Sequence, residues 1–341
     1  MNLNLRLKPS IVLAAIALCC ATSVTAVFAA DPLPSWNEGK TKSQIIHFVE
    51  EVTKANGPNF VPPPERIATF DNDGTLMLEQ PNYVQLLFAL DRIKEYAQNH
   101  PELKTTEPFK SVMAGDISPL LASGYKAVTG LMLTTDSGVT VDEFQKIVKQ
   151  WLATTEDTRF KRHHQQLVYQ PMLELLTYLR SNGFKTYIVT GSGIEFIRAF
   201  SEQAYGIPPE QVVGSSLKTK YEYRNGQPAI VRLPELNFID DKDGKPLGIQ
   251  EFIGRHPVCA FGNSDGDLQM LQWADAHPGP HFCLYVHHTD ATREYAYDRH
   301  SKIGMLDKGL DEAAQHGWTV VDMKNDWKTI FPPELFPAKT K

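Results

Sequence analysis

The chain is short of cysteine, of long apolar runs and of surplus positive charge, and each shortage rules something out. It carries 4 cysteines in 341 residues, and Cys19 and Cys20 lie in an N-terminal leader. No disulfide framework can be built from the remainder. Cys259 and Cys283 sit in apolar strand-like runs and are expected as buried free thiols, one disulfide between them being the alternative in an oxidising compartment. Past the leader, no segment approaches the ~20 apolar residues that a membrane span needs. Lys and Arg number 34 against 40 Asp and Glu, a formal net charge of −6. That balance argues against nucleic acid and anionic membrane surfaces as partners. Internal repeats and low-complexity tracts are missing. Gly191-Ser192-Gly193 lacks the later glycine and acidic partner of a dinucleotide fingerprint. His163-His164 and His287-His288 are adjacent pairs, without the i, i+4 spacing that binds zinc on a helix.

What the N-terminus does have is a secretory signal pattern over residues 1–29. Arg6 and Lys8 form a short positive region, and Ile11 to Val24 is apolar. Cleavage is expected after Val27-Phe28-Ala29 or Val24-Thr25-Ala26. The apolar run is too short for an anchor, there is no twin-Arg pair, and Leu18 stands where a lipoprotein would need a small residue before its cysteine. Export to the periplasm or beyond is the expectation. Losing the two positive charges of this leader takes the formal net charge from −6 to −8.

With 42% hydrophobic residues, the rest of the chain can bury one large core or two unequal ones. After a loose stretch at 31–42, Ser43 to Lys54 shows a helical apolar stripe, and Gly57-Pro58 and Pro62-Pro63-Pro64 lead into the strand-like Ile67-Ala68-Thr69-Phe70. From 77 to 164 the pattern is almost wholly helical, with candidates at Tyr83–Asn99, Glu107–Met113, Ile117–Val128 and Val141–Leu152. This reads as a helical module inserted after the first strand. Helix–strand alternation resumes with helices at Pro171–Arg180, Ile194–Tyr205, Pro246–Ile253 and Asp267–Trp273. The strands predicted between them are Thr186–Val189, Gln211–Val213, Val258–Phe261, Phe282–Val286 and Thr319–Val321. Tyr221 to Leu233 reads as a hairpin turning at Asn225-Gly226. Short apolar strands alternating with helices predict a parallel α/β sheet covered on both faces, a three-layer fold. The expected division is 30–76 and 165–331 for this core, with a small hairpin insert near 217–240. The helical module takes 77–164, and 332–341 is a tail.

Asp71 and Asp73, in Asp71-Asn72-Asp73-Gly74-Thr75, follow the first strand. Alternation would put the two carboxylates on one side. Alone, Asp-Asn-Asp-Gly reads as a turn. Two later strands also end in polar loops, Thr190-Gly191-Ser192-Gly193 and Gly262-Asn263-Ser264-Asp265-Gly266-Asp267. Ligands of an open parallel sheet bind beyond the C-terminal strand ends, where these loops can meet. A hydroxyl, main-chain N–H groups, further carboxylates and a lysine are what a phosphate and a hard cation require.

In these four features the chain resembles the haloacid dehalogenase superfamily, specifically its phosphatase branch close to phosphoserine phosphatase. The resemblance covers residues 65–290. Asp71 to Thr75 is similar to the first motif, Thr190-Gly191 to the second, Lys245 to the third (Lys242 being the other candidate) and Asn263 with Asp267 to the fourth. It implies a Rossmann-like core with an inserted helical cap, and hydrolysis of a phosphomonoester through an aspartyl-phosphate. Asp71 would be the nucleophile and Asp73 the general acid and base. Thr190, Gly191 and Lys245 would bind phosphate. Mg²⁺ would be held by Asp71, the carbonyl of Asp73, Asn263 and Asp267. The chain departs from the family in two places. Asn263 stands where the family usually has Asp, so the cation site has one negative charge fewer, which Asp267 or Asp265 could restore. No arginine occurs between Arg92 and Arg159, where phosphoserine phosphatases carry a cap arginine that reads the substrate carboxylate. A small phosphate ester other than phosphoserine is therefore expected, with no obligate protein partner.

Three other readings compete. Gly262-Asn263-Ser264-Asp265-Gly266 fits a G-x-S-x-G nucleophile elbow, with Asp290 or Asp298 and His300 or His316 completing an esterase triad. It leaves Asp71, Asp73, Thr190 and Lys245 unused. A halide-removing enzyme of the same fold needs no second acid, so Asp73 argues against it. The third is an exported solute-binding protein without turnover. Glu79 is a candidate for leaving-group recognition, set against an ordinary surface carboxylate.

Overall fold

The computed structural model describes residues 30–107, 109–118 and 137–333. The chain divides into Met1–Asp31 and Pro32–Lys341, and the fold is that of the second unit. The leader, most of the helix expected at 117–128, and the end of the tail lie outside the described residues.

Among the described residues the strands form one eight-stranded sheet: β1 (Ile67–Phe70), β2 (Lys185–Gly193), β3 (Val212–Arg224), β4 (Gln227–Phe238), β5 (Cys259–Gly262), β6 (Phe282–Thr289), β7 (Ala296–Tyr297) and β8 (Thr319–Asp322). The order is β4-β3-β2-β1-β5-β6-β7, with β8 also paired to β6. β3-β2-β1-β5-β6-β8 pair in parallel, and only β4 and β7 run antiparallel. β1 is central, with all four residues buried. Its sequence neighbour β2 lies on one side and β5 on the other, so its C-terminal end is the topological switch point where such sheets bind ligands.

Alternation along the strands sorts the core into two layers. Ala68, Phe70, Ile188, Cys259 and Phe261 pack toward the helices Lys40–Thr53, Gln170–Ser181 and Ile194–Arg198. Val189, Val213, Ala260, Cys283 and Tyr285 pack toward Gly244–Phe252, Leu268–Asp275 and Lys308–His316. This is the expected three-layer α/β fold. It also settles the cysteines: Cys283 pairs in register with Ala260, one position from Cys259, so the thiols point to opposite faces. Both are free, and burial pushes both thiols up.

The hairpin turns at Asn225 (φ 50°) and Gly226 (φ 75°), the left-handed pair that a two-residue type I′ turn requires. It is no separate insert. β3 starts in the parallel sheet beside β2 and runs on for 13 residues into its antiparallel pairing with β4. The polar positions Lys218, Lys220 and Glu222 conceal that length. The predicted helix over 194–205 is two short helices, Ile194–Arg198 and Ser201–Tyr205. Phe200 leaves the helical region (φ −137°, ψ −9°) and is buried against Phe196 and Tyr205. β7 and the helix Lys308–His316 have no counterpart among the elements expected from the sequence.

In the helical module, Val84–Asn99 and Phe109–Met113 share a small cluster of Leu86, Leu90, Ile93, Phe109 and Val112. The helix Val141–Thr154 opens on a reciprocal cap, Thr140 Oγ1 accepting from Glu143 N–H at 3.1 Å and Glu143 Oε2 from Thr140 N–H at 2.8 Å. Its Phe144, Val148 and Leu152 join the main core through Phe88 and Phe196. Residues 138–140 also hydrogen-bond to β4 (Gly138 N–H to Arg232 O, 2.9 Å), so module and hairpin are stitched together over the switch point.

Candidate active site

The first loop is a turn built around one carbonyl. Asn72 O accepts from the N–H groups of Thr75, Leu76 and Met77, and Tyr205 Oη donates to Asn72 Oδ1 at 2.9 Å. Gly74 has φ +81°, and a Cβ there would lie 2.0 Å from Asn263 Nδ2 and 2.4 Å from Glu79 Oε1. Only glycine fits. His288 Nε2 donates to Gly74 O at 2.8 Å, and its Nδ1 faces Glu294 Oε2 at 3.1 Å. The turn is thus fixed from below by a buried histidine–carboxylate pair and from the side by a tyrosine.

Lys245 is buried near the start of its helix and spends all three donors: on Asp71 Oδ1 (2.6 Å), Asp267 Oδ1 (2.6 Å) and Val189 O (2.8 Å). Between the two lysine candidates, geometry selects this one. Lys242 makes a main-chain bond to Gly266 O and does not line the cavity. Asp71 keeps Oδ2 on the side of Thr75 Oγ1, which is 3.5 Å away and donates to Asn263 Oδ1 at 3.1 Å. Asp73 Oδ2 accepts from Ser192 Oγ at 2.7 Å.

Asp267 serves the loop that carries it. Its Oδ2 accepts from the N–H groups of Asn263 (2.9 Å) and Ser264 (3.0 Å), and Oδ1 is held by Lys245. Asp267 thus seats Lys245 and its own loop while still lining the cavity, and its expected part as a cation ligand would have to be shared with those bonds. Asp265 is turned away to cap the helix Lys308–His316, accepting from the N–H groups of Asp307, Lys308 and Gly309. Thr190 is also displaced from its expected role: it is fully buried, its Oγ1 accepts Ser192 N–H at 3.1 Å, and it does not line the cavity, whereas Gly191 and Ser192 do.

Charge is unbalanced here. Among the described residues lining or adjoining the cavity, Asp71, Asp73, Glu79, Asp240 and Asp267 are buried acids, against two buried cations, Lys245 and Arg232. Burial and the Asp267 carboxylate push Asp71 well above the usual carboxylate range, against the pull of Lys245. Burial raises Asp73 and, more strongly, Glu79. Asp240 is pushed up to about 7 by burial. Lys245 is held protonated by Asp267 and Asp71 against its own burial. Such a site favours a further cation. Among the described residues no group of three His, Cys, Asp or Glu could hold a metal. The available donors are instead Asp71 Oδ2, Asn263 Oδ1 and the Asp73 carbonyl, which accepts none of the turn's main-chain hydrogen bonds. An all-oxygen set of this kind fits Mg²⁺.

A cavity of about 420 Å³ opens above Asp71, Asp73 and Lys245. Its floor is polar (Gly191, Ser192). Its upper wall is apolar (Leu86, Phe144, Ile194, Phe196), and Arg232 lies 3.6 Å above the Phe144 ring. Sequence reasoning did not assign Ser192, Arg232, Tyr205 or His288. Ser192 was visible in the second polar loop but weighed only within Gly191-Ser192-Gly193 as an incomplete dinucleotide fingerprint, whereas Arg232, in an alternating hairpin, gave no signal. The esterase reading fails on geometry. No histidine lines the cavity among the described residues, Ser264 Oγ accepts from Gly266 N–H, and His316 pairs with Asp275. Asp290 is engaged by Arg293, and Asp298 by His287.

The family model of haloacid dehalogenase-like hydrolases matches residues 68–272. No curated protein matches. Among solved structures, a conserved functionally unknown protein from Anaerococcus prevotii DSM 20548 is 16% identical with a TM-score of 0.56, over 86% of this chain and 94% of that one. It shares the fold. A protein of unknown function from Bordetella pertussis Tohama I (15% identity, TM-score 0.48) covers 76% of this chain and 99% of its own. A phosphoserine phosphohydrolase-like protein from Francisella tularensis (16%, TM-score 0.36) covers 74% and 98%. The match to the family model spans the strands that carry every loop of this site, and the chain belongs to the haloacid dehalogenase-like hydrolases.

Proposed function

We propose that this hydrolase is a Mg²⁺-dependent phosphatase of small phosphomonoesters, working through an aspartyl-phosphate on Asp71. The observation that carries the reading is the division of the Asp71 carboxylate: Oδ1 is tied to Lys245, and Oδ2 is left facing the cradle beside Asn263. Asp71 attacks phosphorus as the P–O bond to the alcohol breaks, and Asp73 gives its proton to the departing oxygen. Asp73 then takes a proton from the water that attacks phosphorus, and the bond from phosphorus to Asp71 breaks, freeing phosphate and the carboxylate. Burial raises Asp73 and so supports its protonated form for the first step. Gly191 N–H and Ser192, which line the cavity, would meet phosphate oxygens, with Thr190 beneath them and Lys245 offsetting charge from its bond to Asp71. Asp71, the Asp73 carbonyl and Asn263 would hold the cation, which when bound offsets the repulsion between a carboxylate nucleophile and a phosphate.

The cavity volume and the helical module above it support a small ester; the absence of surplus positive charge argues against nucleic acid. The division into core (30–76, 165–331) and cap (77–164) belongs to the same proposal. So does export to the periplasm or beyond after removal of residues 1–29. The test is phosphate release from a panel of small phosphate esters with Mg²⁺, run beside Asp71→Asn and Asp73→Asn. Asp71→Asn should abolish turnover, and Asp73→Asn should cost about 10²–10⁴-fold in kcat, the usual weight of a general acid–base group. Turnover that survives Asp71→Asn ends the proposal.

A further inference from the structure

The cation cradle carries an amide, Asn263, where a carboxylate would give stronger ligation. The structure places a carboxylate immediately behind it. Glu79 Oε1 accepts from Asn263 Nδ2 at 2.6 Å and from Tyr297 Oη at 2.8 Å. Its residue is buried, yet it lines the same cavity as Asp71 and Asp73. Two glycines make room for it: a Cβ at Gly304 would lie 1.9 Å from Glu79 Oε1, and one at Gly74 would lie 2.4 Å from it. Chain from two separate loops is thus shaped to admit this one side chain. The hydrogen bond to Nδ2 also fixes which way the amide points. With Nδ2 given to Glu79, Oδ1 is turned to Thr75 Oγ1 and the Asp71 side of the cradle.

We infer that Glu79 is the displaced carboxylate of the cation site: it acts through Asn263, orienting the amide and supplying from one shell further out the negative charge that position 263 lacks. Glu79 is then a positioning residue for the cation rather than a reader of the leaving group. An outer-shell carboxylate of this kind makes its ligand oxygen more basic and holds it in line. The inference rests on the proposed cation dependence, so its test measures binding directly, without substrate.

Mg²⁺ affinity is measured by calorimetry, and Mn²⁺ affinity by the loss of its free-ion electron paramagnetic resonance signal. The proteins compared are wild type, Glu79→Gln, and Glu79→Gln with Asn263→Asp. Glu79→Gln should weaken binding about 10–100-fold, the usual cost of losing an outer-shell partner. The double variant, which moves the carboxylate into the ligand position, should recover most of that loss. Wild-type affinity in Glu79→Gln, or no recovery in the double variant, overturns the inference. Failure of the wild type itself to bind either ion would instead remove the cation from the proposed function. Should Glu79→Gln not fold, Asn263→Asp alone decides. It sets two carboxylates side by side, so Mg²⁺ should raise its melting temperature more than that of wild type, and an equal or smaller rise refutes the idea.

Discussion

Replacing Lys245 by Met should destabilise the protein in a way that depends on pH. The lysine is 1% exposed and holds Asp71 and Asp267, each at 2.6 Å. Methionine replaces the lysine stem up to Cε and lacks only the ammonium, so loss of packing is small and the effect is mainly electrostatic. Removing one partner of a buried ion pair costs about 3–5 kcal/mol, because the other charge stays buried and unpaired. Here one lysine faces two carboxylates, so the upper part of that range is expected near pH 7.5. The sign follows from the shifts. Asp71 is already raised by burial and by Asp267, and without the lysine it rises further. A carboxyl whose folded pKa exceeds its unfolded value favours folding while protonated. That contribution is complete below the unfolded value, near 4, and is lost as pH climbs through the folded value. Lys245, raised above its ordinary value, keeps its own contribution throughout this range and would lose it only in strong alkali. The deficit of the variant should therefore be smallest near pH 4.5 and grow toward pH 7.5. Urea unfolding followed by circular dichroism at pH 4.5, 6.0 and 7.5 reads it as a falling midpoint at constant slope. A deficit that is independent of pH, or below about 1 kcal/mol at pH 7.5, would refute the charge argument.

Three further outcomes are expected from the same geometry. Gly74→Ala should lower stability by at least about 1–2 kcal/mol, because φ +81° is costly for a residue with a Cβ and that Cβ would run into Asn263 and Glu79; an unchanged urea midpoint counts against it. A serine-directed fluorophosphonate should leave phosphate release intact, since among the described residues no histidine lines the cavity with Ser264; time-dependent inactivation would reopen the esterase reading. Cys259 and Cys283 should both react with a thiol reagent once unfolded, even after oxidation of the folded protein, and a mass two hydrogens lighter would show the disulfide that the sheet faces forbid.

The parts of the fold that could be read from the chain were those where one local signal decides. Ile67 to Phe70, buried on both faces, reads as a continuous apolar run, and Asn225-Gly226 names its own turn. The site was legible as three polar loops after apolar strands, because sheet topology alone brings such ends together. What escaped depended on distant partners. Asp267 and Asp265 are two residues apart, yet one seats Lys245 and the other caps a helix forty residues on. Thr190 and Ser192 both offer hydroxyls, and only tertiary packing determines that Ser192 reaches the cavity. β3 hid its length because its second half is a two-sided, solvated ribbon, where alternation carries charged residues and little apolar signal. Phe200 was invisible as a helix break, since nothing in a phenylalanine opposes helix.

The lysine does more than neutralise. A carboxylate has two oxygens, and a nucleophile that could present either would lose part of the advantage of fixed orientation. Lys245 Nζ takes Asp71 Oδ1, and Val189 O and Asp267 use its remaining donors, so the ammonium cannot swing away. Asp267 is itself clamped by the N–H groups of Asn263 and Ser264. The chain of constraints runs from the β5 loop through Asp267 and Lys245 to the β1 loop, and ends on Asp71 Oδ2. The same β5 loop holds Asn263, whose amide Glu79 aligns from behind. One short loop thereby sets both the direction of the proposed nucleophile and the place of the proposed cation. Loosening Asp267 should then disturb both together, whereas loosening Glu79 should disturb only the cation.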